Sequence, residues 1–277
     1  MKKYLNPTHH CLFAVVFLCL SSAAPAQEES NTHSADELAK KLSNPVASLV
    51  SAPFQSNIDF GAGPDGDGVK YTLNIQPVIP ISINEDWNLI SRTILPYVYQ
   101  SDIVNDGGNS QSGFSDTVQS LFFSPKEPGA GGAIWGVGPV IMLPTATNDS
   151  LGTEKWGIGP TGVLLYQKGP WTYGTLANHI WSFAGEDDRA EVNATFIQPF
   201  VSWGGLGNGQ TVAVNIESTY DWNSEQWSVP MNVVYSKLKP IGGQLVQFSV
   251  GARTYLETPD NGPEWGLRFI ITLLFPK

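Results

Sequence analysis

The feature that most constrains this chain is an alternation of apolar and polar residues, held far longer than one soluble strand needs. From 69 to 83, Val69, Tyr71, Leu73, Ile75, Pro77, Ile79, Ile81 and Ile83 fall on one face. Lys70, Thr72, Asn74, Gln76 and Ser82 fall on the other. Period two is the mark of a strand with two different environments, and ordinary globular strands run about five or six residues. The pattern returns at 211–222, at 227–235 and most cleanly at 265–275, where Trp265, Leu267, Phe269, Ile271, Leu273 and Phe275 share a face.

Extended along the chain, the pattern predicts twelve strands at 53–61, 69–83, 87–101, 114–124, 133–144, 156–167, 171–183, 190–203, 211–222, 226–238, 245–257 and 264–275. Strands of about 9–11 residues, even in number and joined by alternating short and long connections, define an antiparallel transmembrane β-barrel of the outer membrane. The tryptophans agree. All nine lie near an expected strand end: Trp87, Trp135, Trp171 and Trp203 at the periplasmic end, and Trp156, Trp181, Trp222, Trp227 and Trp265 at the outer end. That is the headgroup level of a membrane. Trp203 fits least well, because its parity points it inward. Seven prolines, Pro77, Pro80, Pro96, Pro139, Pro160, Pro199 and Pro230, oppose the reading, since each removes a ladder hydrogen bond. Bulges are the expected remedy.

The start of the chain supports export. Lys2 and Lys3 precede an apolar run at 11–20 and the tripeptide Ala24-Pro25-Ala26. This predicts a signal peptide over 1–26; the apolar run is too short to span a bilayer. Cleavage after Ala26 removes both cysteines, Cys11 and Cys19, and takes the formal charge from −10 to −12 by loss of Lys2 and Lys3. A chain so acidic argues against nucleic-acid binding. Residues 27–52 then form a periplasmic lead-in or a lumen plug. Ser34 and Glu37 predict a capping box, with Pro45 stopping the helix that follows. Residues 53–277 form the barrel.

The mature chain resembles outer-membrane proteins of the meta-pathway-of-phenol-degradation family, whose members are often labelled transporter and sometimes neuromedin U. The resemblance rests on 42–53 (LSNPVASLVSAP), 135–139 (WGVGP) with 144–147 (PTAT), 151–160 (LGTEKWGIGP), 169–175 (GPWTYGT), 178–186 (NHIWSFAGE), 220–230 (YDWNSEQWSVP) and 259–277. It implies a barrel in the outer membrane and brings no catalytic residues.

Site residues follow from strand parity. Lys70, Arg92, Arg253 and Arg268 are expected to face the lumen, against Asp59, Glu191, Glu217, Asp221 and Glu257. This is near balance, so a change such as Arg268→Gln is expected to be mild. The outer connections carry eleven acids against two bases, which predicts a mild cation preference at low salt. Gly136, Gly138, Gly157 and Gly159 form a smooth inward track, either a substrate path or a seat for the N-terminal segment. His33 and His179 are the only histidines after the leader; the spacing of three between His179 and Ser182 places them on opposite faces, so no Ser–His pair forms. Asp65 and Asp67 read as a plain Asp-Gly turn. No P-loop, dinucleotide fingerprint or zinc motif is present, so no cofactor and no metal site are expected. The expected partners are outer-membrane lipid and lipopolysaccharide, the barrel-assembly machinery through the C-terminal strand, and an unidentified small solute. The expected function is passive passage of small molecules. A structural or surface-interaction barrel with a filled lumen is the alternative, and a lipid-acting enzyme a distant third.

Overall fold

The computed structural model describes residues 34–103 and 110–276. The expected leader, His33 and the loop residue Asp106 lie outside them. Helix α1 is Ala35–Leu42, and its capping box is present: Glu37 N–H donates to Ser34 Oγ at 3.2 Å, and Ser34 N–H to Glu37 Oε2 at 3.1 Å.

A closed wall of 12 antiparallel strands follows. β1 is Val50–Ala62, β2 is Gly68–Ile75 continued by Val78–Ser82, and β3 is Trp87–Ser101. β4 is Gln111–Phe114 continued by Thr117–Pro125, β5 is Ala133–Leu143, and β6 is Lys155–Lys168. β7 is Trp171–Gly185, β8 is Asn193–Trp203, and β9 is Gln210–Ile216 continued by Ser218–Asp221. β10 is Gln226–Ser228 continued by Pro230–Ile241, β11 is Gln244–Tyr255, and β12 is Trp265–Phe275. Each strand pairs with the next, and β12 closes on β1 from Val50↔Phe275 to Phe60↔Trp265. Closure leaves no free edge.

The wall is inside out compared with a soluble protein. Ile79, Ile81, Val137, Leu164, Phe269 and Ile271 point outward and are 44–51% exposed, while Asn57, Ser120, Thr161, Asn232 and Arg268 are buried inside. Only a bilayer solvates such an exterior, and only a closed sheet satisfies its own backbone there.

The prolines are handled mostly by local breaks, not by bulges. Pro77 separates the two pieces of β2; its carbonyl accepts from Thr93 N–H at 3.2 Å, so contact with β3 persists. Pro230 follows the break in β10, and its carbonyl accepts from Glu217 N–H at 2.9 Å. Pro139 and Pro160 sit opposite each other across β5 and β6. On their far sides the β4–β5 ladder lapses between Ser120↔Val140 and Phe123↔Val137, and the β6–β7 ladder between Ile158↔Trp181 and Thr161↔Asn178. Neither lapse changes the register, so neither moves a side chain to the other face.

One-residue register shifts occur at Gly61 in β1, at Phe183 in β7 and within β4. The β3–β4 register is Tyr97↔Phe114 but Ile94↔Val118, so Ser115 and Asp116 add one residue and reverse the parity. Asp116 uses the kink. Its carboxylate accepts from Thr153 N–H at 2.6 Å and Thr153 Oγ1–H at 2.7 Å, tying down the 144–154 loop.

The parity of β8 differs from expectation. Ile197 and Val201 are exposed, so odd positions face out. Trp203 shares that outward parity and meets Trp171 with ring centroids 6.2 Å apart. No inversion or bulge is needed to place it.

Candidate functional site

The lumen carries a belt of charge at mid-wall. Arg268 on β12 is 2% exposed. Its Nη1 and Nη2 donate to the two Glu217 oxygens, each at 2.8 Å, and its Nε donates to Asn57 Oδ1 at 2.8 Å. Arg253 on β11 pairs with Asp59 on β1, Nε to Oδ1 at 3.3 Å. Lys70 lies opposite Asp59 in the β1–β2 register. Arg92 on β3 donates from Nη2 to Gln76 Oε1 at 3.0 Å and makes no ion pair among the described residues.

The expected balance of charge shifts once these positions are known. Glu191 precedes β8 and belongs to the 186–192 loop, at the end of the barrel away from the chain termini, where it meets Lys155 Nζ at 2.9 Å. Its inward placement depended on the parity that β8 reverses. The Ser182 hydroxyl, and then the Lys155 ammonium, hold the Glu191 carboxyl below the ordinary carboxylate range. Glu257 follows the end of β11 and is exposed. Asp221 ends β9 at the rim, with Oδ1 accepting from Asn223 N–H at 2.9 Å. The belt itself therefore has Lys70, Arg92, Arg253 and Arg268 against Asp59 and Glu217, an excess of base.

Below the belt the lumen is open, and further down it is filled. A cavity of about 580 Å³ is lined by Arg92, Glu217 and Arg268, by apolar side chains of β3, β4, β7 and β8, and by residues of the 41–49 segment. That segment packs inside the end of the barrel nearest the chain termini. Val46 packs with Ile90, Phe122, Val163, Leu165 and Leu176, all buried and all inward. Leu38 and Leu49 pack with Leu238 and Leu274. Polar contacts hold helix α1 and this segment to the wall: Gly209 N–H donates to Asp36 Oδ1 at 2.6 Å, Gln167 Nε2 to the Lys40 carbonyl at 2.8 Å, and Asn88 Nδ2 to Ser48 Oγ at 2.8 Å. The apolar inward residues that receive Val46 break the polar-in rule of a barrel, and no parity argument finds them without knowing what they receive.

The four track glycines share the inward parity of β5 and β6 but do different things. A Cβ on Gly136 would stand 3.2 Å from Val46 Cγ1, so this glycine makes room for the segment. A Cβ on Gly157 would meet Ile180. Gly138 and Gly159, each just before its proline, let the neighbouring strand come close; a Cβ there would collide with the carbonyl oxygens of Leu121 and His179.

His179 faces out beside Trp181, ring centroids 4.0 Å apart. Its hydrogen-bond partner is not Ser182 but a residue of the neighbouring strand. Nδ1 lies 2.7 Å from Thr195 Oγ1, and Trp222 Nε1–H donates to the same oxygen at 2.8 Å. The Thr195 hydroxyl joins the two rings, accepting from the indole and sharing one hydrogen bond with Nδ1, while the other ring nitrogen, Nε2, is buried and has no hydrogen-bond partner among the described residues. Cross-strand neighbours of this kind require the register, which the sequence does not display. Among the described residues, no group of three or more His, Cys, Asp or Glu is placed to hold a metal ion.

These features define a class: a closed twelve-stranded β-barrel with an apolar exterior, a charged belt and an N-terminal segment inside the wall. No family model matches the chain, and no curated protein matches it. Among solved structures the chain is similar to an outer membrane channel from Pseudomonas putida F1. The TM-score is 0.65 at 13% identity, covering 82% of this chain and 96% of that one. It is also similar, at TM-score 0.49 and 10% identity, to the calcium-bound outer membrane phospholipase dimer of Salmonella typhi, over 86% of this chain and 98% of that one. The first likeness establishes the shared fold.

Proposed function

We propose that the chain is an outer-membrane channel for small molecules, related to the channels and transporters it resembles in sequence and fold. The observation that carries this reading is the unfilled cavity of about 580 Å³ beneath the charged belt. A barrel serving only as a scaffold has no need of an open, charged interior. The leader at 1–26 serves export, lipopolysaccharide surrounds the acidic outer loops, and β12 presents its aromatic face to the barrel-assembly machinery. The N-terminal segment acts as the plug that limits conductance. In planar bilayers the purified protein should open small channels, and deletion of residues 34–48 should raise the unitary conductance severalfold. A folded protein that conducts in neither form would favour the filled, structural barrel.

Orientation has its own test. A cysteine replacing Asn148 should react with an impermeant thiol reagent on intact cells, and one replacing Gly169 should not. The reverse labelling would invert the barrel. A lipid-acting enzyme is the less supported reading. Its one favourable observation is the Thr195–His179 contact on the outer face, and Thr195→Ala should leave conductance unchanged if that contact is structural.

A further inference from the structure

We propose that the lumen cavity binds small organic monoanions with an apolar body, of which an arylcarboxylate is the type, and that the Arg92 guanidinium is the anion anchor. This rests on the reading of the lumen as a solute path and names the solute class. Three guanidinium groups face the lumen, and two are already committed. Arg253 is paired with Asp59, and Arg268 is held in a fork by Glu217 and backed by Asn57. Arg92 gives one N–H to Gln76, which orients it, and has no carboxylate within ion-pair distance among the described residues. A guanidinium has five donors in a rigid fork that matches a carboxylate edge. Glu217, the acid whose field reaches Arg92, is clamped by Arg268. Its charge in the same lining repels a second negative charge, so the site suits a monoanion better than a phosphate or a dicarboxylate.

The rest of the lining sets the body of the ligand. Ile94 follows Arg92 on the same face of β3, and Leu176, Ile180, Phe196 and Phe200 give β7 and β8 apolar patches, with the Asn178 and Gln198 amides between them. Around this apolar patch the lining is polar, and the cavity volume lies in the usual small-molecule range of roughly 300–1,000 Å³.

The test is calorimetric titration of the folded full-length protein in detergent, with benzoate as probe and acetate and benzyl alcohol as comparators. Benzoate should bind at least tenfold more tightly than either comparator, since acetate lacks the body and benzyl alcohol lacks the charge. Arg92→Gln should weaken benzoate at least tenfold and leave benzyl alcohol unchanged. Arg92→Lys should recover part of the loss. Leu176→Asn should weaken benzoate but not acetate, and Asp65→Asn in an outer loop should change nothing. Each variant is scored only if it keeps the heat-modifiable gel shift of a folded barrel; should Arg92→Gln fail this check, the Lys and Leu176 variants decide. Absence of benzoate binding, equal binding of benzyl alcohol, or indifference to both Arg92 and Leu176 would overturn the proposal. Because binding is read without current, benzoate bound by a non-conducting barrel would refute the channel and leave the site standing; a conducting barrel that ignores benzoate would do the reverse.

Discussion

A single arginine shows how far a register can mislead about energy. Arg268 and Phe269 are neighbours on β12 with opposite surroundings. Phe269 is 44% exposed on the outer face, and Arg268 is 2% exposed inside. Phe269→Arg should impair assembly, because an arginine on the lipid face costs about 2–4 kcal/mol at mid-membrane. Arg268→Gln was expected from the sequence to be mild. The structure revises this, since the change strands the Glu217 carboxylate and unpairs Asn57. Breaking one side of a buried pair costs on the order of 3 kcal/mol, whereas removing both sides is often neutral. In urea unfolding of the folded barrel, Arg268→Gln should be clearly destabilised and the double variant Arg268→Gln with Glu217→Gln largely restored. A double variant no better than the single one would show that the pair contributes through shape, not charge.

The strands differ in how openly the sequence displays them. Over 69–76, β2 faces lipid on one side and a polar lumen on the other, so its alternation is unbroken and readable; β12 keeps an apolar outer face, but Ile270 and Leu274 are apolar inside because they line the cavity or pack on the N-terminal segment. β4 carries an inserted residue at Ser115 and Asp116, and the reversal of parity there is invisible because Ser and Asp suit either face. In β8 the inward set includes Ala194, Phe196 and Phe200, apolar because they line the cavity, so hydrophobicity no longer separates the faces. Glu191 was assigned to the lumen for that reason. Its true place makes the outer loops a strapped layer: Lys155 holds Glu191, and Arg189 Nη2 donates to the carbonyls of Asp149 at 2.7 Å and Gly152 at 2.5 Å. Because the folded carboxyl of Glu191 titrates below its ordinary value, its contribution is present above the unfolded pKa and is lost as pH falls through the folded one. Proteolysis of the 186–192 loop should therefore quicken on acidification below the ordinary glutamate range. Glu191→Gln should show the faster rate already at neutral pH. A loop cut equally fast at both pH values in the unmodified protein would remove this strap from the account.

At the scale of the molecule, two regions of opposite sign compete over permeating ions. The outer loops carry an excess of acid, widened by Glu191 and Glu257. They stand in bulk electrolyte, where fields die away beyond about 8 Å at physiological strength and sooner at higher salt. The belt has four bases and two acids inside a narrow wall of low dielectric, where screening is weak. The mouth should dominate in dilute salt and the belt in concentrated salt. Reversal potentials under potassium chloride gradients should therefore move towards chloride as the mean concentration rises. The sequence alone anticipated only a cation preference that fades. Neutralising Glu186, Asp187 and Asp188 together should abolish the cation preference at low salt and leave the high-salt limit unchanged. Neutralising Lys70 and Arg92 should do the opposite, removing the chloride preference at high salt while the dilute behaviour persists. Plain lipid is the right medium, because lipopolysaccharide with bridging divalent cations would mask the mouth. If the high-salt limit followed the loop acids instead, the belt would have to be neutralised by groups it does not touch in this structure, and selectivity would belong to the mouth alone.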